Sequence, residues 1–487
     1  MLTNLRLTVL GGSLGFWKMG MGQKIKHLCD WIAEASPAFL NPMWQRFRAS
    51  PLWVRLAKGM FWSLMGAVVS RGVGVLSSII VARILGLSAF GEFTTIQNTV
   101  IMFGSFAGLG LGVTATKYVA ELRESAPDRC GRVLGLVLFV TLLGGGLTAV
   151  GFWFFAPLLA ENLLGAARLA PLLRAGSTLI LFGALQGVYL GGLGGFEAFK
   201  RVARVNWLGA LLGTPLVVIG TLVGSLPGAV WGIVLQIVVT CGISHLALVN
   251  EAAQSGVRIS YGLNRNDCSL LWRFTLPTFF SNLLFGSANW ICGLMLIRQP
   301  NGFDQAALLN VAGSWRNMLI FLPTIVGGVL APMLSNLYQA GNTTEFKKLL
   351  QRNLWINATV SLVLAIPISI LSPWIMKSYG PGFSQGVPIL ILHALMTSLV
   401  AVNNLLSRSM QSSGRAWMDF SFNALWAVVL VATSMLLIPN YMAMGISIAH
   451  ALAAVALGIW QWLLIRRFVL KANATDIPLA PTTCSAP

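Results

Sequence analysis

Apolar residues run along this chain in long unbroken stretches, separated by short segments that carry most of its lysine and arginine. A stretch of about 20 apolar residues is what a helix needs to cross the hydrocarbon core of a bilayer. About twelve such stretches can be drawn, at residues 60–82, 92–116, 132–155, 172–195, 202–222, 227–249, 271–297, 305–334, 353–372, 386–407, 416–438 and 441–465. The pattern predicts an all-α polytopic membrane protein. Residues 1–58 are mixed, with basic residues among Trp31, Trp44 and Trp53, and read as a cytoplasmic extension that lies partly in the membrane interface. The polar, proline-rich end, 469–487, reads as a disordered tail.

The stretches repeat. LAPLLRAGSTLILFGAL before the fourth corresponds to GVPILILHALMTSL before the tenth, with Pro171 answering Pro388 and Asn206 answering Asn423. The matched positions lie about 212–217 residues apart, a spacing that holds an even number of spans. Both halves therefore enter the membrane in the same sense. The expected architecture is two six-helix lobes, residues 59–250 and 271–468, joined by a cytoplasmic linker at 251–270. A parallel repeat of this kind places a transporter's central cavity between its halves.

Composition sharpens this picture in two ways. Of the 487 residues 56% are hydrophobic and 10% charged, and the mean hydropathy is +0.76. A net charge of +19 would suggest nucleic acid in a soluble chain. Here the placement of the cations explains it. Twenty-six of the 33 fall on one side of the predicted spans, 5 on the other and 2 inside helices. By the positive-inside rule both termini are cytoplasmic, and no nucleic-acid partner is implied. Six scattered cysteines and four histidines form no metal motif, so no metal site is expected.

The two cations inside helices are Arg71 and Arg316. An arginine at the centre of a span costs about 2.5–3.5 kcal/mol on insertion scales. No aspartate or glutamate falls mid-helix to offset it. Two such guanidiniums imply water and an anionic guest. Polar positions share their surroundings: Gln97 and Asn98 in the second span, Asn282 and Asn289 in the seventh, Asn310 and Asn317 in the eighth, and Asn404 in the tenth. These are the candidate cavity residues, although single Ser, Thr and Asn residues commonly serve as hydrogen-bond glue between helices. His393 is a candidate proton-sensitive group, with hydrogen-bonded packing as its simpler reading. Arg83 with Glu92, and Arg298 with Asp304, are expected to be ion pairs at the outer turns.

The run ARILGLSAFGEFTTIQNTVIMFGSFAGLGLGVTATKYVAEL resembles the first helical hairpin of bacterial polysaccharide-repeat flippases. These are the Wzx-type transporters of the multidrug/oligosaccharidyl-lipid/polysaccharide (MOP) exporter superfamily. LAPLLRAGSTLILFGALQGVYLGGLGGFEAFKRVARVN and SYGPGFSQGVPILILHALM resemble later parts, so the likeness extends from about Gly59 to Phe468. It implies a non-enzymatic inner-membrane transporter with alternating access. The implied cargo is an undecaprenyl-pyrophosphate-linked oligosaccharide for O-antigen, capsule or exopolysaccharide. A polysaccharide polymerase and a chain-length regulator are the protein partners in view, beside membrane lipid. No cofactor is implied, and coupling to a proton or a sodium gradient stays open. Two other readings are weighed. An ion-coupled drug exporter of the same superfamily would be expected to carry a mid-membrane acid, where this chain has arginine. A membrane glycan polymerase or ligase would need a sizeable outer loop, and the longest here are short.

Overall fold

A computed structural model of the chain describes residues 51–260, 265–324, 337, 343–412 and 417–466. Most of the 1–58 extension, residues 325–334 of the eighth expected span and the tail lie outside the described residues. The described elements are helices: α1 (Pro51–Gly108), α2 (Leu111–Leu122), α3 (Pro127–Leu158), α4 (Ala170–Gly195), α5 (Phe199–Gln254), α6 (Arg265–Ile297), α7 (Gly302–Leu319), α8 (Thr343–Tyr379), α9 (Val387–Leu395), α10 (Thr397–Ser412) and α11 (Trp417–Ile465). Short helical turns at Leu159–Leu163, Ala167–Leu169 and Phe383–Gly386 connect some of them. Among the described residues, seven helical stretches are long and apolar enough to cross a membrane.

Three helices are too long to be single spans. At about 1.5 Å per residue, α1 laid straight would measure about 87 Å, against a bilayer core of about 30 Å. It breaks at Gly86 (φ 76°, ψ 176°), a conformation open to glycine. α5 breaks at Ser225 (φ 51°) and α11 at Met442 (φ 48°). In α5 the two arms run back along each other: Gly220 meets Gly228, Leu216 meets Gly232, and Arg201 pairs with Glu251. Gly220 and Gly228 touch backbone to backbone, so a β-carbon on either would collide with the other's carbonyl. Gly228→Leu is therefore expected to destabilise the purified protein by about 1–3 kcal/mol or more, seen as a lower melting temperature in detergent. An unchanged melting temperature would show that the arms can part without loss.

The repeat read from the sequence is written in the backbone. Gly86 and Asn301, both at positive φ, lie about 215 residues apart, as do Gly165 and Gly380, and Ser225 and Met442 lie about 217 apart. In the first half, α4 is flanked by α2, α3 and α5; in the second, α11 packs on α6 and α10, and α8 on α9 and α10.

At the end holding Gly86 and Asn301 the halves are joined. One hydrophobic cluster there draws on both, including Phe90, Leu164, Phe383 and Leu390. Phe90 meets Phe383 edge-on at 6.0 Å, and Gly91 lies flush against the carbonyl of Phe303. The expected rim ion pairs do not form. Glu92 is buried and pairs instead with Arg168. Arg83 donates from Nε to the carbonyl of Ser378 (2.6 Å), and Arg298 donates to the carbonyls of Leu163 (3.2 Å) and Asn162. Each arginine thus crosses to the other half, because an outer turn pressed against main chain offers its guanidinium unsatisfied carbonyls closer than its own half's acid. The two contacts correspond under the repeat: Arg83 answers Arg298, and Leu163 answers Ser378.

Towards the opposite end the cores separate. One cluster there, around Leu134, Val137 and Leu193, comes from residues 109–259 alone. Another, around Phe346, Leu406 and Phe422, comes from residues 337–465 alone.

Candidate functional site

Glycine placement shapes the interior of the first half. Along α4, Gly191 and Gly195 press onto α2, where Thr116 donates its hydroxyl to the carbonyl of Gly191 (2.9 Å). Further along the same helix, β-carbons at Gly183 and Gly187 would meet nothing within 4 Å, and the same holds for Gly104 and Gly108 on α1. The helices therefore touch at one level and leave a gap at the next.

That gap is a cavity of about 740 Å³. Its walls come from both arms of α1 (Ser70 on the first; Gln97, Ile101 and Ser105 on the second), α4 (Gln186), both arms of α5 (Asn206; Gln236 and Thr240) and α6 (Phe279, Asn282). Among the described residues, none that lines it is charged. α6 packs on the second arm of α1 through Trp290, whose indole N–H donates to Thr99 (3.2 Å) and whose ring meets Phe103 at 5.8 Å.

Arg71 follows Ser70, a lining residue, and is not itself among the residues that line the cavity. It donates to the main-chain carbonyl of Asn317 on α7 and lies 4.5 Å from the centroid of the Phe321 ring. A backbone oxygen and an aromatic face satisfy part of the guanidinium without neutralising its charge. Arg316, next to Asn317, turns into the second half, within electrostatic reach of His393 and His450. Among the described residues neither arginine has a carboxylate partner.

The remaining candidates are dispersed. Gln97 and Asn282 line the cavity. Asn289 hydrogen-bonds His450 (3.0 Å) and donates to the carbonyl of Phe285 (2.7 Å), bridging α6 and α11. His393 is buried, with Nε2 3.1 Å from the Ser447 hydroxyl. Asn98, Asn317 and Asn404 are exposed and Asn310 half-buried, and none of the four lines the cavity. Gln186, Asn206 and Gln236 line it without having been singled out as candidates. Amides near the glycines of the fourth span were the available signal. Among the described residues no three His, Cys, Asp or Glu side chains cluster as a metal site would require.

Comparison with known proteins bears on this geometry. Residues 56–338 match the family described as polysaccharide biosynthesis protein. The EPS I polysaccharide export inner membrane protein EpsE of Ralstonia nicotianae is 25% identical over 410 residues, spanning 83% of this chain and 92% of that one. The lipid III flippase of Escherichia coli K12 is 26% identical over 293 residues, 60% of this chain and 70% of its own. Among solved structures, a MATE-family multidrug resistance transporter of the MOP superfamily in an inward-facing conformation superposes with a TM-score of 0.66 at 17% identity, covering 83% of this chain and 98% of its own. The lipid II flippase MurJ, in an inward closed conformation, gives 0.65 at 17%, covering 83% and 87%. At those identities the structural likeness is one of fold: all-α, membrane-embedded and two-lobed.

Proposed function

The chain belongs to the polysaccharide biosynthesis protein family, and on that footing we propose that it flips a polyprenyl-pyrophosphate-linked oligosaccharide across the bacterial inner membrane. The observation that carries the reading is a cavity lined by amides and hydroxyls near an arginine that, among the described residues, has no carboxylate partner. A lipid-linked glycan has the matching parts: an anionic pyrophosphate, sugar hydroxyls and an apolar tail. Arg71 and Arg316 would hold the pyrophosphate by charge-assisted hydrogen bonds. Gln97, Asn98, Asn282, Asn289, Asn310, Asn317 and Asn404 are the proposed sugar contacts, some of them engaged only in other states of the cycle. The polyprenyl tail would stay in lipid while the head crosses about 30 Å.

The distribution of cations supports cytoplasmic termini, with residues 59–250 and 271–468 as the two lobes. The joined end then faces the periplasm, and the separated cores face the cytoplasm, where such a substrate is assembled. Rocking of the lobes would open the joined end and pass the glycan outward, to a polymerase and a chain-length regulator. The curated relatives, named for polysaccharide export and lipid III flipping, support the same class of cargo. The fold shared with a multidrug transporter does not bring its cargo along, and among the described residues the cavity lining holds no acid to bind a cation.

Expression of this chain in a strain that lacks its own flippase is expected to restore surface polysaccharide. Continued accumulation of lipid-linked glycan on the cytoplasmic face, with the protein present in the membrane, would overturn the reading.

A further inference from the structure

We infer that the glycine-walled cavity of the first half is a subsite for uncharged sugars, and that its width is set by Gly104, Gly108, Gly183 and Gly187. The inference rests on the flippase reading and says what kind of glycan that site takes.

Two independent features lead to it. The first is the glycines themselves. A glycine inside a helix costs roughly 1 kcal/mol against alanine, so it needs a reason. Elsewhere in this chain the reason is visible: Gly112, Gly191 and Gly228 each lie against another backbone. At 104, 108, 183 and 187 there is neither a positive φ nor an atom within 4 Å of where a β-carbon would stand. The absent side chains leave empty volume, and all four positions line the same cavity. Gly187 also lies against the backbone of Gly112, but packing accounts for none of the other three, and room for a guest accounts for all four.

The second feature is the chemistry of the remaining wall. Gln97, Gln186, Asn206, Gln236 and Asn282 give carboxamides from α1, α4, both arms of α5 and α6, and among the described residues no charged one joins them. A carboxamide both donates and accepts, as do sugar hydroxyls and N-acetyl groups. A uronate or a sugar phosphate placed there would lose its water and meet no cation within the wall, an expensive exchange. The neighbouring arginine is engaged outside the lining, by Asn317 and Phe321, where it is placed to meet a pyrophosphate. The site thus divides its labour: charge beside the pocket, neutral polar groups within it.

The test uses the purified full-length protein in liposomes with two probes, undecaprenyl-pyrophosphate linked to chitotriose and the same lipid linked to a trisaccharide of galacturonic acid. The neutral probe is expected to cross at least tenfold faster. Gly183→Leu and Gly104→Leu should slow it at least tenfold, with Gly183→Ala having a smaller effect. None of these changes should lower the melting temperature, since the new side chains enter empty space. Equal transport of both probes, a preference for the acidic one, or undiminished transport by both leucine variants would overturn the subsite and leave the flippase reading standing. Failure of the unaltered protein to move either lipid would overturn both.

Discussion

Arg71→Ala is expected to reduce export of surface polysaccharide at least tenfold, without reducing the amount of protein in the membrane. The separation of the two effects follows from what the arginine does to the fold. A mid-span guanidinium opposes insertion by about 2.5–3.5 kcal/mol, so its removal should ease biogenesis. The interactions forfeited are one hydrogen bond to the Asn317 carbonyl and the face of Phe321. A hydrogen bond from a charged group contributes about 1.5–3 kcal/mol, comparable to the relief. Stability should therefore change little, while the positive charge near the cavity disappears. Arg71→Lys keeps the charge and gives up the planar surface that lies on Phe321, so partial export is expected. Arg316→Ala should behave like Arg71→Ala. Quantifying surface polysaccharide alongside membrane protein level checks all three, and normal export by the Arg71→Ala, Arg316→Ala double variant would remove the arginines from the mechanism.

The second large effect is expected at the joined end. Arg83 carries one charge-assisted hydrogen bond from one half to the other, and Arg298 carries at least one. At about 1.5–3 kcal/mol apiece, losing both shifts the balance between closed and open by about 3–6 kcal/mol before any relaxation. Every 1.4 kcal/mol is about a factor of ten, so even half of that range would move a strongly closed population towards parity. Leu87 is partly buried against the cluster that joins the halves, so the double change Arg83→Ala, Arg298→Ala should make Leu87→Cys, placed in a background whose native cysteines are all replaced, react with a water-soluble maleimide at least tenfold faster. Each single change should give an intermediate rate. Labelling that stays as slow as in the parent would mean that the apolar contacts around Phe90 and Phe383 hold this end shut unaided.

Much of this architecture was legible in the sequence because lipid enforces it. Spans drawn at 202–222 and 227–249 bracket Ser225, the gap between 82 and 92 contains Gly86, and the boundary between 416–438 and 441–465 misses Met442 by two residues. An apolar run longer than the bilayer has to turn, and the turn falls where polar and small residues interrupt it. The repeat was legible for the same reason, since two halves that solve one packing problem keep their breaks at matching positions. The second span was drawn too long: α1 stops at Gly108, and Leu109 and Gly110 take positive φ before α2 resumes. Apolar composition continues through that break, so hydropathy alone does not register it.

The site was less legible. Arg71 stood out because its charge contradicts its surroundings, a conflict that any helical placement preserves. The choice of partners did not follow, since Glu92 is nearer in sequence to Arg83 than to Arg168 yet pairs with Arg168. The cavity was missed for a related reason. A glycine that serves close packing and a glycine that leaves a void look alike in a sequence, and only the neighbouring helix tells them apart: Gly191 meets Gly112, whereas Gly183 meets nothing.

The cross-half contacts of Arg83 and Arg298 end on main-chain oxygens rather than on acidic side chains. Every amino acid carries that oxygen, so the receiving loops can drift in composition as long as they keep their path. Only the two donors are fixed by the genetic code at the level of a side chain. A protein arranged this way can diversify the loops at its joined end without loosening the clasp that shuts it.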